Sequence, residues 1–130
     1  MSSFLPLRLS PGDDLRGVLE AHAAQSGAAF VVSGIGSLGS ARLRLAGAET
    51  DAVLDGPLEI LSLAGSLSAD GAHLHMAVSD VQGRVTGGHV GRGCTIRTTA
   101  ELLLAPLDGW ELTRQFDAAT GYPELVVQPR

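Results

Sequence analysis

The chain has 130 residues and 13.4 kDa, with fourteen acids against nine bases and a net charge of -5. A chain of this mass buries about two-thirds of its unfolded surface, enough for one core without disulfides or a structural metal, so a single domain over 1–130 is expected. The acidic balance supplies no global positive field toward nucleic acid or anionic lipid, and the complete absence of lysine excludes Schiff-base chemistry and the P-loop.

In chain order, Leu5 to Leu9 reads as a short strand; Pro6 and Arg8 interrupt it and no basic region precedes it, so no signal peptide is expected. Ser10-Pro11-Gly12-Asp13 then carries a capping hydroxyl, a proline for the first helical position and a carboxylate three residues on, which predicts a helix from Pro11 to Ser26. Leu15, Val18, Leu19, His22 and Ala23 share one face of it, and Gly27 stands where a left-handed cap is wanted. The rest alternates with period two. Strands are expected over 28–35, 41–45, 58–67, 72–79, 84–90, 94–104, 111–117 and 124–127, with hairpin turns at Ser68-Ala69-Asp70-Gly71 and Asp80-Val81-Gln82-Gly83. The fold class is therefore α+β: a mixed or antiparallel sheet of about eight strands with one main helix near the N-terminus.

Gly34-Ile35-Gly36-Ser37-Leu38-Gly39 matches the dinucleotide fingerprint and follows a strand. A phosphate-binding turn must open a helix, however, whereas Ala41-Arg42-Leu43-Arg44-Leu45 alternates like a strand, so a glycine-rich turn between strands is expected instead. Glu59 shares the predicted strand face of Leu61, Leu63 and Leu67, where a carboxylate needs a partner; Arg42, Arg44 and Arg114 are candidates.

His73-Leu74-His75 is the sharpest constellation. In a strand Leu74, Met76 and Val78 point to the core while His73 and His75 share the other face, their Cα atoms roughly 6.6 Å apart. His89 lies on the partner strand and joins that face if it pairs opposite residue 73 or 75; a register one residue off would need a bulge, for which Gly87-Gly88 is the natural place. Three neutral imidazoles with an open fourth position are the ligand set of a zinc site, and the competing reading is an exposed polar strand face that happens to use histidine. Cys94 alternates with Ile96, Thr98, Ala100 and Leu102 on the apolar face and reads as a buried, inert thiol; being single, it fits a reducing, cytoplasmic compartment. Thr95, Arg97, Thr99 and Glu101 form the opposite, polar stripe, either solvated or supplying substrate contacts. No apolar run approaches the roughly 20 residues of a membrane-spanning helix, so no membrane partner is expected.

Taken together, Arg8-Leu9-Ser10-Pro11-Gly12-Asp13-Asp14-Leu15, Gly34-Ile35-Gly36-Ser37-Leu38, Gly56-Pro57-Leu58-Glu59-Ile60-Leu61-Ser62-Leu63-Ala64-Gly65, His73-Leu74-His75, Gly87-Gly88-His89, Thr99-Ala100-Glu101 and Thr120-Gly121-Tyr122 resemble the PPC domain family, shared by stand-alone prokaryotic proteins and plant AT-hook nuclear proteins. The resemblance runs from about Leu5 to Val127. It implies an α+β subunit, a homotrimer, and in prokaryotic members a histidine cluster for a metal such as zinc, at positions matched by His73, His75 and His89. The family is also described as DNA-binding by analogy with the plant AT-hook Arg-Gly-Arg-Pro; Gly91-Arg92-Gly93-Cys94, the nearest string, lacks the second arginine and the proline. Where the plant domain has Gly-Arg-Phe-Glu-Ile-Leu, this chain has Pro57-Leu58 in place of Arg-Phe.

The expectation is a cytoplasmic homotrimer with a divalent metal, zinc, on His73, His75 and His89, acting as a metal-dependent enzyme or as a small-molecule binding protein. Arg97 or Arg114 would meet a small anionic ligand, and Glu101 would move a proton or complete the metal shell. A DNA-associated regulator of the same family and a pure trimerisation module are the alternatives; net acidity disfavours nucleic acid as a partner.

Overall fold

The computed structural model describes residues 3–130. Eight strands and one helix follow in the order β1 (Leu5–Leu9), α1 (Leu15–Ser26), β2 (Ala29–Arg44), β3 (Ala52–Ser68), β4 (Gly71–Ser79), β5 (Val85–Val90), β6 (Thr95–Pro106), β7 (Trp110–Asp117) and β8 (Tyr122–Pro129). The strands form two antiparallel sheets rather than one: a six-stranded sheet ordered β1-β6-β2-β3-β4-β5, and the β7-β8 hairpin. At one end of the large sheet β5 also pairs with the end of β2, Leu43 opposite Val90 and Arg44 opposite His89, so β2, β3, β4 and β5 close into a ring.

The helix starts four residues later than its sequence signals suggest. Ser10 to Asp13 form a turn of their own, in which the Asp13 carboxylate accepts from the Ser10 amide. Backbone bonds hold that turn to β6, from Gly12 N–H to the Ile96 carbonyl and from Ile96 N–H to the Asp13 carbonyl. The cap is Asp14, whose Oδ2 accepts from Gly17 N–H at 2.8 Å, while Gly27 closes the other end with its N–H on the Ala23 carbonyl. Leu15, Leu19 and Ala23 are buried and Val18 partly so, whereas His22 sits half-exposed at the rim.

Two predicted strands, 28–35 and 41–45, are one: the glycine-rich stretch Gly34 to Gly39 runs inside β2 and makes no turn. Its glycines serve packing. A Cβ on Gly36 would stand 2.6 Å from the Ala100 Cα of β6, so the residue is small because the neighbouring backbone comes close. The β3 pattern breaks at Leu61, where the register to β4 jumps from Ile60 opposite Val78 to Ser62 opposite Ala77. This bulge flips the alternation, so that Leu58, Ile60 and Leu63 are buried while Glu59 and Leu61 face outward. Glu59 is thus exposed and joins no ion pair among the described residues, against the expectation of a partnered carboxylate.

The core gathers the buried side chains of α1 with those of the large sheet. Leu9, Leu15, Leu19, Leu38, Leu43, Leu63, Leu67, Leu74, Ile96 and Leu104 are all fully buried there. Each contributes about 1.5–3 kcal/mol of apolar burial. Among the described residues no helix is long and apolar enough to cross a membrane.

Candidate metal centre

β4 sorts its side chains by alternation. Leu74, Met76 and Val78 turn into the core, which leaves His73 and His75 on the opposite, exposed face. The Asp80 turn that follows, with its Oδ1 accepting from Gln82 and Arg84 N–H, sends β5 back in register, and His75 stands directly opposite His89. Pairing continues without a shift from His75–His89 to Ser79–Val85, so the bulge considered at Gly87-Gly88 is absent. Gly88 has another reason to be small. A Cβ there would lie 2.7 Å from the Arg44 carbonyl oxygen, so glycine lets β5 close onto β2 and set His89 beside its neighbours.

The three imidazoles converge. Their ligand atoms all lie within 4.8 Å of one another, with ring centroids 5.1 Å apart for His73–His75, 4.6 Å for His75–His89 and 5.5 Å for His73–His89. Burial pushes the His73 ring below the usual histidine range, helped by Arg114 and by the other two rings, while Glu124 pulls the other way. Burial, then Arg44 and His75, lower His89 in the same direction. Both rings are therefore neutral at pH 7, the state that offers a lone pair.

The histidines open on a cleft of about 750 Å³ that Arg44, Arg114 and Glu124 also line. Arg114 comes from β7. Its Nη2 donates to Ser66 Oγ at 2.8 Å and to His73 Nδ1 at 3.3 Å, and its backbone N–H donates to Asp70 Oδ2 at 2.8 Å. A smaller hollow of about 470 Å³ reaches His73 and His89 from the side of Arg16 and Arg92. The described ion pairs join Arg16 and Arg92 to Glu20, which leaves Arg44 and Arg114 without a carboxylate partner among the described residues.

Of the residues singled out in the sequence, His73, His75, His89 and Arg114 are brought together, and Arg97 and Glu101 are not. Both lie exposed on β6, which flanks β2 on the edge away from β3 and β4. Glu101 pairs with Arg8 and Ile35 and lines a separate hollow with them. Cys94 is fully buried; burial raises its thiol above the usual range, and the thiol bonds the Arg42 backbone. The sequence reading missed Glu124, whose only signal was the neighbouring Thr120-Gly121-Tyr122, and the place of Arg44, which depends on ring closure.

The Plants and Prokaryotes Conserved (PCC) domain matches residues 2–108. The chain belongs to this family. All three histidines lie within the matched stretch, while the PCC match ends before the β7-β8 hairpin that supplies Arg114 and Glu124. The chain is 53% and 52% identical to parts of two proteins named bifunctional protein GlmU, from Synechococcus sp. strains JA-3-3Ab and JA-2-3B'a(2-13), over 95% of its own length and 20% of theirs. It thus spans about a fifth of the curated relatives it matches. Among solved structures, a hypothetical protein from Salmonella superposes with a TM-score of 0.95 at 42% identity, covering 100% of this chain and 96% of that one. A metal-containing protein from Archaeoglobus fulgidus gives 0.81 at 31% identity, over 95% and 93%. A plant- and prokaryote-conserved protein from Pyrococcus horikoshii gives 0.73 at 26% identity, over 95% and 93%.

Proposed function

We propose that this PCC-domain protein binds one divalent metal per subunit, zinc by preference, on His73, His75 and His89, and acts on or carries a small anionic molecule at that metal. The observation that carries the reading is the convergence of three imidazoles from two adjacent strands, ligand atoms within 4.8 Å of each other, on a cleft that holds two arginines with no carboxylate partner among the described residues. The donor set fits: zinc takes imidazole nitrogens at about 2.1 Å in tetrahedral sites, and a three-histidine set leaves a position open. The rings stand at strand positions whose backbone is held by pairing. The Archaeoglobus fulgidus relative contains a metal, which supports the same reading here.

Bound zinc would polarise a ligand oxygen or lower the pKa of a bound water. The chain's own groups then have separable tasks. Arg44 and Arg114 line the cleft and would supply positive charge to orient an anion, whereas Arg97 is not among its lining residues. Glu124 is the carboxylate positioned to hold a proton, since Glu101 faces a different hollow. Whether turnover follows binding depends on the molecule held; the same geometry serves an enzyme and a binding protein.

The subunit is proposed to work as a cytoplasmic homotrimer built of one domain. Phe30, Val32, Ile35 and Leu61 expose 40–52% of their surface on β2 and β3, an apolar face that a neighbouring subunit would cover. Light scattering is expected to return three subunit masses at micromolar concentration, and a single-subunit mass contradicts the trimer.

Elemental analysis of tag-free protein, dialysed after zinc supplementation, tests the metal reading. One zinc per subunit is expected, retained in His22→Ala and lost in His75→Ala. Zinc-free wild type, or full metal in His75→Ala, overturns it.

A further inference from the structure

The contact between Arg114 and His73 carries a consequence for how the cleft loads. A guanidinium has N–H donors and no acceptor, so in the 3.3 Å contact the lone pair belongs to His73 Nδ1. A neutral imidazole has one N–H, which then sits on Nε2. In this state His73 has no free lone pair: Arg114 occupies one nitrogen and a proton the other. A metal that binds Nδ1 displaces the guanidinium directly. A metal that binds Nε2 moves the ring proton to Nδ1, where it faces an N–H of Arg114 and the contact is lost as well. Metal loading through either nitrogen therefore releases Arg114 from His73.

The released guanidinium stays at the cleft, because the Arg114 backbone N–H is held by Asp70 Oδ2 and Ser66 Oγ accepts from Nη2. It then stands near a dication with no carboxylate paired to it among the described residues. Glu49, Asp70 and Glu124 are the acids lining the cleft, and Asp70 is already engaged by the Arg114 backbone. An oxyanion between metal and guanidinium relieves that repulsion, and a guanidinium favours planar, two-oxygen partners.

Resting on the three-histidine metal reading, we propose that zinc and a small oxyanion, a carboxylate or a phosphate, bind this cleft cooperatively, with Arg114 as the coupling residue: it closes His73 in the metal-free protein and receives the anion in the loaded one. The metal-free cleft is accordingly a poor anion site.

Calorimetric titration of inorganic phosphate in one arm and acetate in the other, into zinc-free protein and into protein carrying one equivalent of zinc, tests the coupling and separates the two anion classes. Zinc is expected to tighten at least one of the two anions tenfold or more in the wild type. In Arg114→Ala that gain falls fivefold or more, while zinc affinity, measured by chelator competition, is no weaker than in the wild type. Arg97→Ala, exposed on β6 and outside the cleft lining, is expected to keep the gain, which ties the coupling to Arg114 rather than to the loss of any arginine. A smaller gain in wild type, a loss of gain below fivefold in Arg114→Ala, loss of the gain in Arg97→Ala, or tenfold weaker zinc binding in Arg114→Ala overturns the coupling. Absence of zinc binding in the wild type overturns the metal reading itself, and is distinguished by the chelator measurement.

Discussion

On one side of β4, Leu74, Met76 and Val78 are at most 3% exposed and packed among the leucines of the core; on the other, His73 and His75 meet solvent and His89 across a two-arginine cleft. One strand thus carries both a stability surface and a chemical surface, separated by the thickness of a pleat. Cys94 shows what happens to a metal-type donor on the wrong side of such a divide. It is sealed at 0% exposure, its thiol is held protonated by burial, and its nearest polar contact is the Arg42 backbone. The difference lies in surroundings rather than in donor strength, since free thiolates are strong metal ligands and buried thiols are not.

The sharpest way to break this division is to truncate neighbours on opposite faces. Leu74→Ala removes a fully packed side chain and is expected to destabilise the protein by about 2–5 kcal/mol in urea unfolding. His75→Ala, one residue away on the exposed face, is expected to change the stability of the zinc-free protein by less than about 0.5 kcal/mol. Comparable losses from both would show that the histidine face is structural.

Acid sharpens the comparison on the chemical face alone. His73 and His89 have folded pKa values lowered from the ordinary 6.5, so the unfolded chain binds protons more readily than the native one. Their contribution to stability is full above about 6.5 and is lost as pH falls through the lowered native values. Zinc release should likewise begin below about pH 6.5, because protons must first reach rings that resist them. A zinc-free protein whose unfolding midpoint, followed from pH 7.5 to 5, falls less after His73→Ala plus His89→Ala than in the wild type bears this out. An equal fall in both contradicts it.

Much of this architecture was legible locally. Alternation in residues 72–79 gives the two faces of β4, and the short Asp80 to Gly83 turn limits the return register enough that 75 opposite 89 was one of two expected pairings. Legibility failed where distant segments decide. The β3 bulge at Leu61 reverses the face of Glu59 because β4 dictates the pairing, and the β2 stretch of Gly34 to Gly39 stays extended because β3 and β6 bond both its edges. Arg44 reaches the site through ring closure, and Arg114 and Glu124 through a hairpin some 40 residues downstream of the first histidine pair. Side-chain type pointed to Arg114, but nothing in the sequence separated it from Arg97, whose strand lies on the other side of β2.

Whether these three histidines and no fourth hold one metal is read from the imidazole nitrogens of ¹⁵N-histidine-labelled protein during a zinc titration. The ring signals of His73, His75 and His89 are expected to move together and stop moving at one equivalent of zinc, while those of His22 stay in place. Movement of fewer than three of these rings, or of His22 alongside them, would contradict the three-histidine site.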